Sequence, residues 1–235
     1  SFIYNFKKNE MKKINFLILI TICPLIIFGQ SDSITIKKTL EEVNVNAIKA
    51  DSKTPMAYTD LKKQEIEKSN LGQDLPFLIS LTPSIVSTSD AGAGIGYTGF
   101  RIRGTDPSRI NVTINGIPLN DSESQGVWWV NMPDFASSLE NIQIQRGVGT
   151  STNGAAAFGA SINLKTLGIK EQAYAKTSNS MGSFNTLKNN VELGTGIIND
   201  KFSFDARLSR IASEGYIDRA TSDLKSFYLQ GSYFY

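Results

Sequence analysis

Beyond Gly168 the chain alternates between apolar and polar residues. Phe202, Phe204, Ala206 and Leu208 are apolar, and Ser203, Asp205, Arg207 and Ser209 are polar. Such a period of two puts every apolar side chain on one face of an extended strand and every polar one on the other. Upstream, Val191, Leu193 and Ile197 alternate with Glu192, Gly194 and Gly196, and Asn199-Asp200 is a tight turn that joins the two segments. Residues 211–223 make a longer polar connection, after which Phe227, Leu229, Tyr233 and Tyr235 return at the same period. Two architectures satisfy this pattern. One is a soluble β-sandwich with a wet face. The other is a membrane barrel, whose tilted strands of about 9–11 residues carry short turns at one end, long loops at the other and aromatic girdles. Alternation alone does not choose between them.

The start of the chain bears on the choice. Met11-Lys12-Lys13 precedes a run over 14–28 that is apolar except for Asn15, Thr21 and the Pro24 break, and Gly29-Gln30-Ser31 follows. Positive charge, an apolar stretch of about 7–15 residues and a small residue at the cut define a secretory signal, here 11–29. A membrane-spanning helix wants about 20 apolar residues without a proline. Residues 1–10 precede a start methionine and read as upstream read-through. Cys23, the single cysteine, follows the bulky Ile22 where a lipoprotein signal needs a small residue, so it is expected to leave with the signal.

One cysteine and no histidine exclude disulfide frameworks, Cys/His zinc sites and histidine-based triads. The basic pI of about 8.5 is a property of the leader. Lys7, Lys8, Lys12 and Lys13 all lie there with one acid, Glu10, and the remainder is nearly balanced. Without a basic cluster there is no electrostatic footprint for nucleic acid.

Residues 30–49 form a polar tail in which Val43, Val45 and Ala47 alternate with polar neighbours. Such a strand either adds to a partner's sheet edge or opens the next domain, and pattern alone leans to the second. Residues 50–167 mix helices and short strands, an α+β domain. Helices are expected over 61–69 and 74–80, separated by Gly72 and ended before Pro83. The glycines at 92, 94 and 96 precede a strand-like FRIRG rather than a helix, so they predict a mobile loop and not a nucleotide-binding turn. Strands follow at 100–103 and 110–114, and Asn115-Gly116 is a hairpin turn returning through Ile117 and Leu119. A loop over 120–130 holds Asp121, Glu123, Trp128 and Trp129. Pro133 is expected to start a short helix, with further strands at 141–145 and 161–165.

These segments resemble the TonB-dependent receptor family from residue 40 to the end. EEVNVNA (41–47) resembles the coupling segment called the TonB box. FRIRGTDPSRINVTINGIPLND (100–121) and IQIQRGVGTSTNGAAAFGASINLKT (142–166) resemble the plug-domain signature, in the right order and spacing. GSFNT (182–186) is similar to the family's early barrel strands, and ESQGVWWVNMPDF (123–135) to receptors of the Bacteroidetes type. The resemblance implies an α+β plug domain followed by the first antiparallel strands of a transmembrane β-barrel, which is incomplete here. The family's barrel has about 22 strands. Four are expected, near 172–179, 187–197, 202–210 and 225–235, and the chain reads as truncated at its C-terminus.

What the resemblance implies about function is energy-coupled import across the outer membrane of a Gram-negative bacterium, with no catalysis and no cofactor. The cargo class it favours is a ferric siderophore or other iron chelate, with a glycan or cobalamin as alternatives. Glu42, Val43, Asn44, Val45, Asn46 and Ala47 would meet TonB, the partner energised by the inner membrane, while the barrel meets outer-membrane lipid. Tyr97, Asp121, Glu123, Trp128 and Trp129 would face the ligand from plug loops. Arg101, Arg103 and Arg146 would pair with barrel carboxylates. Two rival readings stay open. A passive channel or adhesin barrel would need neither coupling strand nor plug. A carboxylate-dependent hydrolase would need two acids on neighbouring elements, and Asp121 and Glu123 are two apart on one loop.

Overall fold

Isoleucine and valine at every second position build the centre of the structure, a computed structural model that describes residues 49–51, 53–148 and 157–234. Strands β4 (Ile110–Ile114), β6 (Leu139–Arg146) and β7 (Ala160–Thr166) point Ile110, Val112, Ile142, Ile144, Ile162 and Leu164 to one side, where all are buried. Each such side chain contributes roughly 1.5–3 kcal/mol relative to exposure. The full sheet has the order β1-β6-β7-β4-β5, with β1 at Ala57–Lys62 and β5 at Ile117–Pro118. Its pairs are antiparallel except β4 with β7. Helices α1 (Lys63–Ser69) and α2 (Leu75–Leu78) cover the apolar side through Ile66, Leu75, Leu78 and Ile79. A two-stranded ribbon, β2 (Ile85–Ser89) with β3 (Thr98–Ile102), adds Ile85, Phe100 and Ile102.

The opposite face of this sheet is polar, yet it too is buried. It carries Asn111, Thr113, Gln143, Gln145, Ser161 and Asn163. Most of these side chains pair, as buried polar groups generally do, while Asn111 Nδ2 and Ser161 Oγ have no partner among the described residues. The Thr113 hydroxyl donates to Asn163 at 2.8 Å. The Gln143 amide takes both main-chain groups of Ala50, accepting from its N–H at 2.7 Å and donating to its carbonyl at 2.9 Å.

Several sequence expectations are corrected locally. The helix expected over 61–69 begins only at Lys63, because Leu61 pairs with Ile142 as the edge strand β1. Residues 85–89 form β2 against β3, an element that the sequence pattern does not mark. The Pro133 helix is a 3-10 turn at Phe135–Ser138, preceded by Asp134 in the left-handed region at φ 54°. The hairpin turn at Asn115-Gly116 forms as expected, with φ of 50° and 85°.

After Thr166 come four long strands in simple sequential order: β8 (Tyr174–Gly182), β9 (Thr186–Ile198), β10 (Phe202–Ser213) and β11 (Ser222–Tyr233). All neighbours are antiparallel. Asn199 and Asp200 both take positive φ, 50° and 56°, the geometry whose twist matches a two-residue hairpin. A bulge at Thr195-Gly196 shifts the register, so that Ile197 pairs with Ser203 but Gly194 with Asp205. The alternation expected to carry Ile197 on the face of Val191 and Leu193 therefore fails at this point. Ile197 turns to the side of the buried Ser203, and Ile198 takes its place beside Phe202. Every described residue lies in one compact unit spanning 45–235.

Candidate functional site

The four-stranded sheet is inside out relative to a soluble domain. Its buried face is polar: Lys188, Asn190, Glu192, Ser203, Arg207 and Ser209 are all shielded. Its exposed face is apolar, with Val191, Leu193, Phe204, Leu208, Phe227 and Leu229 each 44–73% accessible. In a water-soluble sandwich these roles would be reversed. A contiguous apolar face outside and polar residues inside is the arrangement of a lipid-embedded barrel wall.

The polar side of the wall meets the N-terminal domain at Asp134. This side chain is fully buried and receives six donors. Oδ1 accepts from Lys188 Nζ at 2.7 Å, Ser137 Oγ at 2.6 Å and Asn70 Nδ2 at 3.1 Å. Oδ2 accepts from Ser209 Oγ at 2.6 Å, Asn190 Nδ2 at 2.7 Å and Arg207 NH1 at 3.3 Å. Four of these donors come from β9 and β10 and two from the domain itself. Arg207 also donates through Nε to Ser138 Oγ at 2.8 Å. Burial alone would push the Asp134 carboxyl up. The Lys188 charge, together with the bonds from Lys188, Ser137 and Ser209, outweighs that and holds it at about 2.

Secondary contacts flank this node. Lys176 pairs with Glu67 at 2.7 Å, and the Ser180 hydroxyl donates to the Leu71 carbonyl at 2.5 Å. At this node the pairing has the opposite sign to the one expected for the domain arginines: the carboxylate is on the domain and the cations are on the wall. Arg101 lies 3.5 Å from Asp106 on the next turn. Arg146, at the end of β6 beside the edge strand β1, donates to Thr59 Oγ1 and the Tyr58 carbonyl. Arg103 occupies a left-handed turn, φ 51°, with its guanidinium beside Gly147. Asp134 is not legible in the sequence because its partners on the wall stand 54 to 75 positions away. Cations on the polar side of an alternating strand were the available signal.

A second contact joins the glycine loop 90–97 to the connection between β10 and β11. Tyr216 N–H donates to the Ala91 carbonyl at 2.8 Å, and Tyr216 stacks edge-on against Phe184 from the turn between β8 and β9. Gly92, at φ 72°, leaves room for Tyr216: a Cβ there would lie 2.9 Å from the tyrosine Cβ. The loop expected to be mobile is thus held by main-chain bonds at both sides.

Beside this loop is a recess of about 190 Å³ lined by Asp90, Tyr97, Thr98, Trp128 and Trp129 among others. Three of the five expected ligand-facing residues meet there. Tyr97 and Trp128 are more than half exposed. Trp129 is only 4% exposed and packs on Phe100 at 5.8 Å between centroids, so its ring belongs to the core and forms only the floor. Asp121 and Glu123 do not line the recess. Asp121 caps its own loop, accepting from the Ser124 N–H at 2.7 Å and the Glu123 N–H at 3.1 Å, bonds that hold its carboxyl below the usual range. Residues 42–47, with Glu42, Val43, Asn44, Val45, Asn46 and Ala47, lie outside the described residues, as does the leader.

A small two-layered domain docked on the polar side of an inside-out antiparallel wall defines a plug and barrel-wall architecture. Residues 50–161 match the TonB-dependent receptor plug domain, which ties this part of the chain to that receptor family. The vitamin B12 transporter BtuB of Vibrio vulnificus is 28% identical over 155 residues, covering 66% of this chain and 24% of the transporter. Among solved structures, the siderophore receptor PirA from Acinetobacter baumannii matches with a TM-score of 0.51 at 20% identity over 67% of this chain and 24% of that one. The pyoverdine receptor FpvA from Pseudomonas aeruginosa matches with a TM-score of 0.59 at 15% identity over 77% and 25%. The chain therefore spans about a quarter of the length of these relatives.

Proposed function

We propose that this chain is the plug and leading barrel wall of an outer-membrane receptor that imports a scarce ligand using energy delivered by TonB. The observation that carries the reading is the docking of the plug on the polar face of a wall whose apolar face is exposed. An open passive pore has no use for a domain anchored by a buried carboxylate across its lumen. The recess bounded by Tyr97 and Trp128 lies beside the loop that touches the long β10–β11 connection. Long connections mark the outer side of such barrels, so this recess meets cargo arriving from outside. An iron chelate of the siderophore type is the favoured cargo, in line with the pyoverdine and siderophore receptors of similar fold. The BtuB likeness supports cobalamin as the second reading. Plug boundaries at 50 and 167, and the signal over 11–29, belong to the same proposal.

Energy coupling is assigned to residues 42–47, whose alternation suits addition to a sheet edge in TonB. In the full-length receptor, Val43→Pro or Val45→Pro removes a main-chain donor and fixes φ. Uptake should be lost while cargo affinity is kept. A cysteine at Asn44 should form a ligand-promoted disulfide with cysteines placed in TonB. Wild-type transport by Val43→Pro, with no cross-link at Asn44 or its neighbours, would assign the segment to an ordinary plug strand.

A further inference from the structure

Asp74, at the start of α2, is a buried carboxyl that the import reading does not use. It is 3% exposed. Oδ2 accepts from the Thr98 hydroxyl at 2.9 Å. Oδ1 is buried and has no hydrogen-bond partner among the described residues. Leaving a carboxylate oxygen unpaired in the interior costs far more when the group is charged than when it is neutral.

The same residue is tied to the glycine loop from its main chain. Asp74 N–H donates to the Gly94 carbonyl at 2.9 Å, and Gln73 Nε2 reaches the Ala93 carbonyl at 3.3 Å. Gly94, at φ 76°, lies so close to α2 that a Cβ would meet the Phe77 ring at 2.8 Å. Loop 90–97 is therefore folded over Asp74. Its far side is bonded to Tyr216, and its ends carry Asp90 and Tyr97 into the recess.

We infer that Asp74 is the positioning residue of loop 90–97, holding it against α2 when protonated and loosening it when ionised. Around Asp74 are α2, the strands β2 and β3 packed on it, and the loop. Their titratable or charged groups are Asp90, Tyr97 and Arg101. None of these is among the causes acting on the Asp74 carboxyl. Burial raises it to about 7, and the bond from Thr98, with the Gly96 N–H nearby, opposes that only in part. With the folded value above the unfolded one of 3.8, the stabilisation is complete below about pH 4 and is lost as pH rises through about 7. The loop should thus be firm in mildly acidic surroundings and loose in mildly alkaline ones.

The inference is tested on the full-length receptor by hydrogen exchange of the 90–97 amides, corrected for intrinsic rates, between pH 6 and pH 8. Crossing the Asp74 titration should raise exchange about tenfold. Asp74→Asn, which is neutral at every pH and keeps an acceptor for Thr98, should flatten that profile. Thr98→Val removes a bond that favours the charged form and should move the midpoint to higher pH. A flat wild-type profile, or the same slope in Asp74→Asn, would overturn the inference. Its consequence for cargo affinity, a weakening with the same midpoint, rests on the import reading. The exchange readout does not, so a pH-dependent loop in a receptor that imports nothing would count against import and for the role of Asp74.

Discussion

Asp134→Ala in the full-length receptor should lower the stability of plug docking by about 3–5 kcal/mol, the cost of leaving buried charge without its partner. Lys188 and Arg207 have 3% and 5% side-chain exposure, so neither can turn to water once the carboxylate is gone. The readout is the urea concentration at which protease first cuts the plug, which should fall well below the wild-type value. Replacing the whole set, Asp134→Leu with Lys188→Met and Arg207→Met, removes the charges together and should recover most of the loss, since apolar groups of similar volume often substitute for buried ion pairs at little cost. The pH dependence follows from the same geometry. The folded carboxyl sits at about 2, below the ordinary 3.8. Its stabilisation is therefore complete above about pH 4 and is lost as the pH falls through about 2. An unchanged cutting profile in Asp134→Ala would mean that the node is not what docks the plug.

The second large effect concerns the opposite face of the wall. Leu208 is 63% exposed, directly across from Val191 on β9 and Phe227 on β11. If that face meets lipid, Leu208→Arg should cost about 2–4 kcal/mol near the bilayer midplane and visibly reduce the fraction of receptor assembled in the outer membrane. If the strands belonged to a soluble sandwich, an arginine at so exposed a position would change stability by no more than about 0.5 kcal/mol. Heat-modifiable migration of the receptor in membrane fractions separates the two outcomes.

Much of this architecture was legible from residue pattern because the pattern and the packing obey the same period. Phe202, Phe204 and Leu208 alternate with Ser203, Arg207 and Ser209 in the sequence, and the structure exposes the first set and buries the second. What pattern could not show was which set faces the protein. Alternation reads the same for a sandwich and a barrel until something is docked on one side. Ile197 was misplaced because a single bulged position reverses every side chain beyond it, and Thr195-Gly196 carries no signal stronger than a glycine. The aromatic recess was partly legible: Tyr97 and Trp128 converge, but Trp129, one position on, points into the core. Asp134 was not legible at all. Next to Pro133 it reads as the start of a helix, and only the fold brings it to Lys188, Asn190, Arg207 and Ser209.

The orientation of the sheet from β8 to β11, polar side to the plug and apolar side to lipid, is open to direct measurement. Spin labels placed one at a time over residues 202–210 of the full-length receptor in bilayers measure this directly, through collision with lipid-soluble oxygen and with a water-soluble nickel chelate. The oxygen signal should have a period of two, with maxima at positions 202, 204, 206 and 208, and access to either reagent should be low at 207 and 209. Maxima for the nickel chelate at 204 and 208 would contradict that orientation and return the strands to a water-soluble fold.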